Sequence, residues 1–466
     1  MDEFLSDIYI MCFKKYVISQ NSHVDQLNVE ENDDTICIHT KSSEGIITFY
    51  PNHIIELTVK NLLKGKIEFY LHFQFKHMKH TLELYNEMMI MIQTILRQPH
   101  LRVLLSCSGG LTTGYFAAKL NEAAHLLALD IEFDAISYSH LYEIGEDYDV
   151  IMLAPQISYL FSQVSAIFKN KLVLKIPSRV FASYDVKDMM GYIDDERNRR
   201  RLTVNQNHQP IPVRHKKHTG KKILCLAFIR NSNRVHILYR LYDGRNRILE
   251  NNEIIKPTLK VEDLYDVIDS ELAQYPDIGM IGMAVPGIIH MDYINSISID
   301  GMEILDLKHD LMARYKQEFV FGNDVNVMAL GYYSLQDQYE SLSLIFQPIC
   351  ALSGLGNIVN GKLLVGKHYV AGEIQFLPLN YTDHPLILHA NPKGAIEAMA
   401  KSIASIISML DPELIVICCY MITDMDELMK EVYKYIPREY VPPIEQVDYL
   451  QEYMLLGTLM LCHEAC

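Results

Sequence analysis

The chain has 466 residues, 49% hydrophobic and 21% charged, with 42 Lys+Arg against 58 Asp+Glu and a formal net charge of −16. That composition fits a packed globular protein of about three domains and excludes disorder as the main state. An acidic chain without a broad basic face is a poor general nucleic-acid binder, so no nucleic-acid partner is expected.

No run of about 18 or more apolar residues occurs, so no membrane span is expected. The N-terminal MDEFLSDIYIMCFKKY begins acidic and lacks a small-residue cleavage site, so it does not read as a leader peptide, and Cys466 is not in a prenylation box. Nine cysteines are spread along the chain without a CxxC pair, a pattern of free thiols in a reducing cytoplasm rather than of disulfides or a zinc ribbon.

From Thr35 to Phe75 the pattern is strand-like. TICIHT, GIITFY, HIIELTVK and KIEFYLHFQF are β-branched or aromatic runs, punctuated by Asp33-Asp34, Ser42 to Gly45, Pro51-Asn52 and Lys64-Gly65. A helix is predicted from about His77 to Arg97, with Leu82, Tyr85, Met89 and Ile92 on one stripe and Pro99 beyond its end. Residues 1–99 thus read as a small α+β domain, with no DNA-binding helix-turn-helix evident. His77 and His80 stand i,i+3 on the predicted helix. Solvent or core positions account for them better than metal binding, and no metal site is expected.

From Leu101 to about Met190 strands and helices alternate. RVLLSCS, IEFDAISY, YDVIMLA and KLVLKIP read as strands, and LTTGYFAAKLNEAAHLLAL and ISYLFSQVSAIF as helices. Such alternation predicts a small parallel α/β sheet over residues 100–190. The polar, locally basic stretch Asp194 to Lys222 reads as a solvated hinge, giving a linker over 191–221. Alternation resumes from residue 222 to 466, so the fold class is α/β.

The most informative segment is RVLLSCSGGLTTGYFAAKL. A buried-type strand ends at Cys107, a glycine-containing loop follows, and then a helix begins. A thiol there lies in the positive end of the helix dipole, where free amides can cradle an anion and favour the thiolate. The implied chemistry is a covalent phosphocysteine. A tyrosine-phosphatase loop needs Arg at the sixth residue after the cysteine, and here that residue is Thr113. Gly109 and Gly114 have the spacing of a nucleotide P-loop, but Tyr115-Phe116 replaces its Lys and Ser/Thr. A tight turn with an inert cysteine is the remaining alternative.

Residues 101–190 resemble the IIB component of the phosphoenolpyruvate-dependent sugar phosphotransferase system, of the lactose/cellobiose (type 3) kind. LLSCSGGLTTG matches that family's VLLxCSxGMSTS-type loop, and Tyr148 to Tyr159 match its second signature, ADVVLLGPQIxY. The resemblance implies that Cys107 accepts a phosphoryl group from a phosphohistidine on a IIA partner and passes it to a sugar held by a membrane IIC protein. Ser108, Gly109, Gly110, Leu111, Thr112 and Thr113 would cradle the phosphate, without a cofactor. Gly114 replaces a small hydroxyl residue of the family loop.

The C-terminal block has its own ordered set: IGMAVPGII, GNDVNVMALGYY, NGKLLVGKHYVAGEIQFLPL and SMLDPELIVICC. Asn323-Asp324 falls at a strand end before a helix, where an Asp can deprotonate a sugar hydroxyl or simply cap the helix. Glu373 falls in a loop, where a carboxylate can accept sugar hydroxyls or pair on the surface. The set resembles the ROK family of repressors and sugar kinases over about 222–460. That implies a two-lobed actin/hexokinase-like fold with Asn323, Asp324 and Glu373 on sugar and catalytic positions, retained for sugar binding or as a vestige. Relatives in that family commonly pair, so a homodimer is compatible.

The departures fall mainly on the nucleotide side. The family's DIGGT appears as Ala227-Phe228-Ile229-Arg230-Asn231, and GTGIGGG as Ala351-Leu352-Ser353-Gly354-Leu355-Gly356. Cys418-Cys419 stands for a glycine pair, and Phe376 for the sugar- and zinc-contacting His of GEIGH. The expectation is a cytoplasmic IIB-type phosphoryl carrier coupled to a ROK-like domain that senses a sugar or sugar phosphate without kinase activity. The alternatives are a phosphorylation-controlled regulator without transport activity and an active ROK sugar kinase.

Overall fold

The computed structural model describes residues 3–21, 27–62, 65–97, 101–127, 129–200, 219–230, 234–286, 288–289, 294–295, 307–349, 352–448 and 450–465. Residues 201–218 of the expected linker, with Asn231, Gly287 and Ala351 of the expected motifs, lie outside this set. The chain forms two compact units. Among the described residues no helix is long and apolar enough to cross a membrane.

The first unit comprises Met1–Gln98, Val213–Val327 and Tyr453–Cys466. The predicted N-terminal strands form at Thr35–His39, Ser43–Tyr50, Ile54–Asn61 and Lys66–Gln74, preceded by Asn28–Glu31, in an antiparallel meander. Lys66–Gln74 then pairs antiparallel with Ile248–Lys256 through Tyr70 and Ile255. The sheet continues through Val235–Tyr242, Lys222–Arg230, Ile278–Val285 and Glu318–Asn323, for ten strands among the described residues. The chain therefore passes from one unit to the other at the boundary expected near residue 99, but residues 1–98 share one sheet and one core with the later lobe strands and do not form a separate domain. Side chains also tie the segments together. Arg234 pairs with Glu68 at 2.8 Å, and the buried Lys256 ammonium meets Asp263 at 2.5 Å and Glu87 at 2.6 Å.

Two helices cover one face of the meander. Met78–Arg97 buries Leu84, Tyr85, Met88, Met91, Ile92 and Ile95, a stripe rotated from the expected one; Leu82 and Met89 are only half-buried. The run Met88 to Ile92 is apolar on all sides, so periodicity alone could not choose the inward face. Glu3–Asn21, not anticipated as a helix, inserts Phe13 and Val17 into the same core, while Leu5, Tyr9, Met11 and Tyr16 remain exposed. Apolar residues on both sides of that helix explain the weak sequence signal.

The second unit comprises Pro99–Pro212 and Met328–Glu452. Its first sheet is parallel, in the order Ile131–Ser137, Leu101–Cys107, Val150–Leu153 and Leu172–Lys175. Helix Val186–Arg200 packs Met189 and Ile193 into this module, so ordered structure runs past residue 190, where a linker was expected. Asp194 and Asp195 of that charged segment are exposed on the helix.

The other sheet runs Lys362–Leu363, Gly354–Val359, Leu342–Phe346, Leu414–Cys418 and Ile444–Gln446. In chain order its strands lie 3-2-1-4-5. The lobe strands of the first unit repeat that order, from Ile248–Lys256 to Glu318–Asn323. This repeated α/β strand order is the one expected of an actin/hexokinase-like fold. Leu104, Ile151, Leu153 and Val173 of the parallel sheet share one apolar cluster with Ile345, Ile396, Met399, Ile417 and Ile422. Each fully buried side chain of this kind contributes roughly 1.5–3 kcal/mol, against roughly 0–1 for an exposed pair such as Lys169–Asp448. Apolar packing therefore dominates the joint.

A buried polar group in the first unit sets a pH dependence. Tyr239 Oη lies 3.2 Å from the His72 ring nitrogens, and Glu271 Oε1 lies 3.9 Å from His72 Nε2. Burial, then the Glu250 charge, pushes the Glu271 carboxyl up to about 8 from 4.5. Burial lowers His72 to about 4 from 6.5, against the pull of Asp266. A raised acid costs stability as pH rises through 4.5 to 8, and a lowered base costs stability as pH falls from 6.5 toward 4. In urea melts between about pH 5 and 8, the wild-type midpoint should decline toward pH 8, and Glu271→Gln should flatten that decline. An unchanged slope in the variant would show that Glu271 is not the group responsible.

Candidate functional site

Cys107 ends the central strand Leu101–Cys107, paired on both sides with parallel neighbours. The C-terminal edge of such a sheet, where the order reverses, leaves a crevice. Helix Leu111–Leu126 starts four residues later, with Gly110 at its N-cap position. Gly110 has φ +81°, and a Cβ there would lie 3.3 Å from the Ser137 amide nitrogen. Left-handed backbone and a tight neighbour both demand glycine, and this conformation turns the Gly110 N–H onto the sulfur at 3.0 Å.

The Thr113 hydroxyl completes the arrangement. Its Oγ1 lies 3.2 Å from Cys107 Sγ and 3.1 Å from the Gly110 carbonyl. One hydroxyl proton cannot serve both acceptors. With a neutral thiol, S–H can donate to Thr113 while Thr113 donates to Gly110; with a thiolate, the Thr113 proton can turn to sulfur. Burial by itself pushes the thiol up. The Thr113 hydroxyl and amide and the Gly109 and Gly110 amides oppose it, and together they hold Cys107 below the ordinary cysteine value.

Cys107 is only 4% exposed, but the loop above it is open. Ser108, Gly109, Leu111 and Thr112 are exposed, Gly110 is half-buried and Thr113 is buried. The structure thus brings all the expected loop residues together at one helix mouth, with Cys107, Gly110 and Thr113 in direct contact. Gly114 donates its amide to the Gly110 carbonyl within the helix and has open space at its Cβ position. Exposed apolar side chains on the helix after the loop were not anticipated: Leu111 is 88% exposed and Tyr115, one helical turn on, 55%. Apolar residues at i and i+4 in the first turns of a surface helix were the available sequence signal.

The other expected residues fall on both units. In the first, Asn323 ends strand Glu318–Asn323, and its Oδ1 accepts from the Val325 and Asn326 amides, each at 3.1 Å. It occupies the N-cap position of helix Asp324–Tyr333; Asp324 Oδ1 also accepts from the Val325 amide, at 2.9 Å. In the second, Glu373 is half-buried and its Oε2 accepts from Gln375 Nε2 at 2.8 Å. Its position is fixed by Gly372, whose φ is +97° and whose Cβ would run into the Leu355 carbonyl.

On the nucleotide side, Ala227 and Phe228 are buried within strand Lys222–Arg230, and Gly354, Leu355 and Gly356 lie in strand Gly354–Val359. Cys418 and Cys419 are buried; apolar surroundings push both thiols up, Cys419 to about 11. Among the described residues no cluster of three His, Cys, Asp or Glu side chains is suited to a metal ion. His80 is held instead by Asp266 at 2.9 Å.

Thr113→Val removes a hydrogen bond to the charged form of sulfur, worth about 1.5 kcal/mol or more. Iodoacetamide should therefore alkylate Cys107 about tenfold more slowly at neutral pH in that variant, and Thr113→Ser should restore most of the rate. Equal rates in all three proteins would remove Thr113 from thiol activation.

Residues 102–195 match the model of the phosphotransferase-system lactose/cellobiose-specific IIB subunit, and residues 235–395 match that of the ROK family. The chain is 30% identical over 99 residues to the lactose-specific EIICB component of Streptococcus mutans, covering 20% of this chain and 17% of that protein. It is 29% identical over 147 residues to N-acetyl-D-glucosamine kinase of Erwinia tasmaniensis, covering 30% of this chain and 48% of the relative. The chain thus spans about half or less of these curated relatives. Among solved structures, a ROK family glucokinase from Streptomyces griseus aligns at TM-score 0.41 and 15% identity, over 52% of this chain and 98% of its own. The lactose-specific IIB domain of Streptococcus pneumoniae aligns at TM-score 0.19 and 24% identity, over 20% of this chain and 95% of its own. Two stretches of one polypeptide thus match two different family models, the lactose/cellobiose-specific IIB subunit over 102–195 and the ROK family over 235–395.

Proposed function

We propose that Cys107 is a phosphoryl carrier. The thiolate sulfur attacks the phosphorus of a phosphohistidine on a IIA-type partner; an S–P bond forms as the N–P bond breaks, and the imidazole leaves. The observation that carries this reading is the sulfur itself, met by the Gly110 amide at 3.0 Å and the Thr113 hydroxyl at 3.2 Å at the mouth of a helix. The same donors suit the oxygens of a bound phosphoryl group. The loop has Thr113 where a tyrosine phosphatase has its arginine, which favours holding the group and passing it on over hydrolysis. The acceptor in this reading is a sugar presented by a IIC-type membrane partner.

The ROK-like lobes, in the same reading, bind a sugar or sugar phosphate through Asn323, Asp324 and Glu373 and do not phosphorylate it. The loss of the carboxylate and glycines of the first phosphate loop supports this. Side chains at backbone–phosphate contacts block close approach, and the missing carboxylate removes charge compensation for Mg²⁺. A second reading, an active sugar kinase, is favoured by the likeness to N-acetyl-D-glucosamine kinase. A regulator switched by phosphorylation at Cys107 is the reading in which no sugar is the acceptor.

Incubation with phosphoenolpyruvate, the general phosphotransferase proteins and a lactose-type IIA should add one phosphate to the intact protein, absent in Cys107→Ser. A phosphate that persists in Cys107→Ser would overturn the carrier assignment. No ATP-dependent phosphorylation of glucose or N-acetylglucosamine is expected. Such activity, abolished by Asp324→Asn, would establish the kinase reading instead.

A further inference from the structure

The parallel sheet that carries Cys107 has two apolar faces. Val103, Leu105 and Cys107 belong to the core under helices Leu111–Leu126 and Val186–Arg200. Leu104, Ile151, Leu153 and Val173 belong to the opposite one, which the short elements between Leu141 and Phe168 extend with Leu141, Ile157 and Val164. That cluster continues without a polar break into Ile345, Ile396, Met399, Ile417, Met421 and Ile422 of the neighbouring ROK-like lobe. A carrier module moving freely between partners would need a polar outer face on this side. Here the module is a fixed part of the lobe.

The Cys107 loop meets the shared cluster at two points. Gly110 sits against the Ile136–Ser137 backbone, and the Ile136 side chain packs on the cluster. The Ala154 amide donates to the Ser106 carbonyl at 2.9 Å, and Ile157, three residues on, is buried in the cluster. Ser106 Oγ, adjacent in the chain to Cys107, is buried without a hydrogen-bond partner among the described residues. It is a buried hydroxyl left unpaired beside the sulfur.

We propose that the chemical state of Cys107 and the packing of residues 392–422 are two ends of one equilibrium. A group added to the sulfur shifts Gly110 against Ile136–Ser137, and the shared core carries that shift to helix Pro392–Leu410 and the turn after strand Leu414–Cys418. The phosphoryl form of this coupling rests on the carrier reading above; the mechanical coupling does not require it. Coupling is reciprocal, so a ligand that repacks the lobe changes the equilibrium at the thiol by the same factor.

The test uses the full chain. Alkylation of Cys107 by iodoacetamide at neutral pH is followed by peptide mass spectrometry in wild type, Ile422→Ala and Val267→Ala. Ile422 lies in the shared cluster, and Val267 is equally buried in the core of the other unit. The expected result is a change of about threefold or more for Ile422→Ala, with Val267→Ala close to wild type. Equal rates in all three, or equal changes in both variants, overturn the coupling; Ile422→Val replaces Ile422→Ala if the latter does not fold. In a second arm the chain is phosphorylated through the phosphoenolpyruvate relay, and hydrogen exchange is compared in peptides from residues 393–422. Altered exchange supports the coupling. One added phosphate on Cys107 with unchanged exchange refutes it and leaves the carrier reading standing. No added phosphate refutes the carrier reading, and the alkylation arm still decides the coupling.

Discussion

A sulfur atom held by an amide and a hydroxyl at the mouth of a helix is the constraint on which the proposed chemistry rests. Desolvation alone would leave Cys107 an inert thiol, as it does for Cys418 and Cys419, buried among apolar side chains. The difference is made by donors within bonding distance, and those donors depend on one backbone conformation. With Gly110 out of the left-handed region, the amide no longer points at sulfur. Thr113 adds a donor whose proton can turn between two acceptors, so one hydroxyl can serve both the neutral and the charged sulfur.

Around that site the chain uses a repeated scheme with two different additions. Both ROK-like lobes carry the 3-2-1-4-5 strand order. One is extended edgewise by the N-terminal meander, through backbone pairing; the other is joined face to face by the IIB-like module, through apolar packing. These attachments differ in kind. Backbone pairing fixes strand register and leaves little freedom, whereas an apolar contact can repack among nearly equivalent arrangements. The joint suited to carrying a signal is thus the one beside Cys107.

Features local in the chain were legible in the sequence. The strand into Cys107, the loop to Thr113 and the following helix form one short segment, and the chemistry of that segment needs no distant residue. Asn323-Asp324 was legible as a strand end before a helix, although the capping falls chiefly to Asn323. Features resting on distant pairs were not. Nothing in KIEFYLHFQF announces that Tyr70 will lie beside Ile255, because a strand that pairs across a junction has the same alternation as one that ends a sheet. Ile157 and Val164 fall in the predicted helix ISYLFSQVSAIF, and only the fold shows that they are buried in an interior continuous with the neighbouring lobe. The charged segment from Asp194 misled for a related reason: charge marks solvent contact, which a helix can have along one side, as at Asp194 and Asp195, while burying the other, as at Ile193.

The edgewise addition has a consequence for how the molecule is made. Strand Ile248–Lys256 would be the rim of its lobe, with main-chain groups open to pairing by any passing extended peptide. Lys66–Gln74 occupies that position from within the same polypeptide. Translation delivers Lys66–Gln74 first, so its own cover is waiting when the vulnerable ribbon leaves the ribosome. Removing residues 1–98 would strip a safeguard against aggregation, beyond any loss of binding surface.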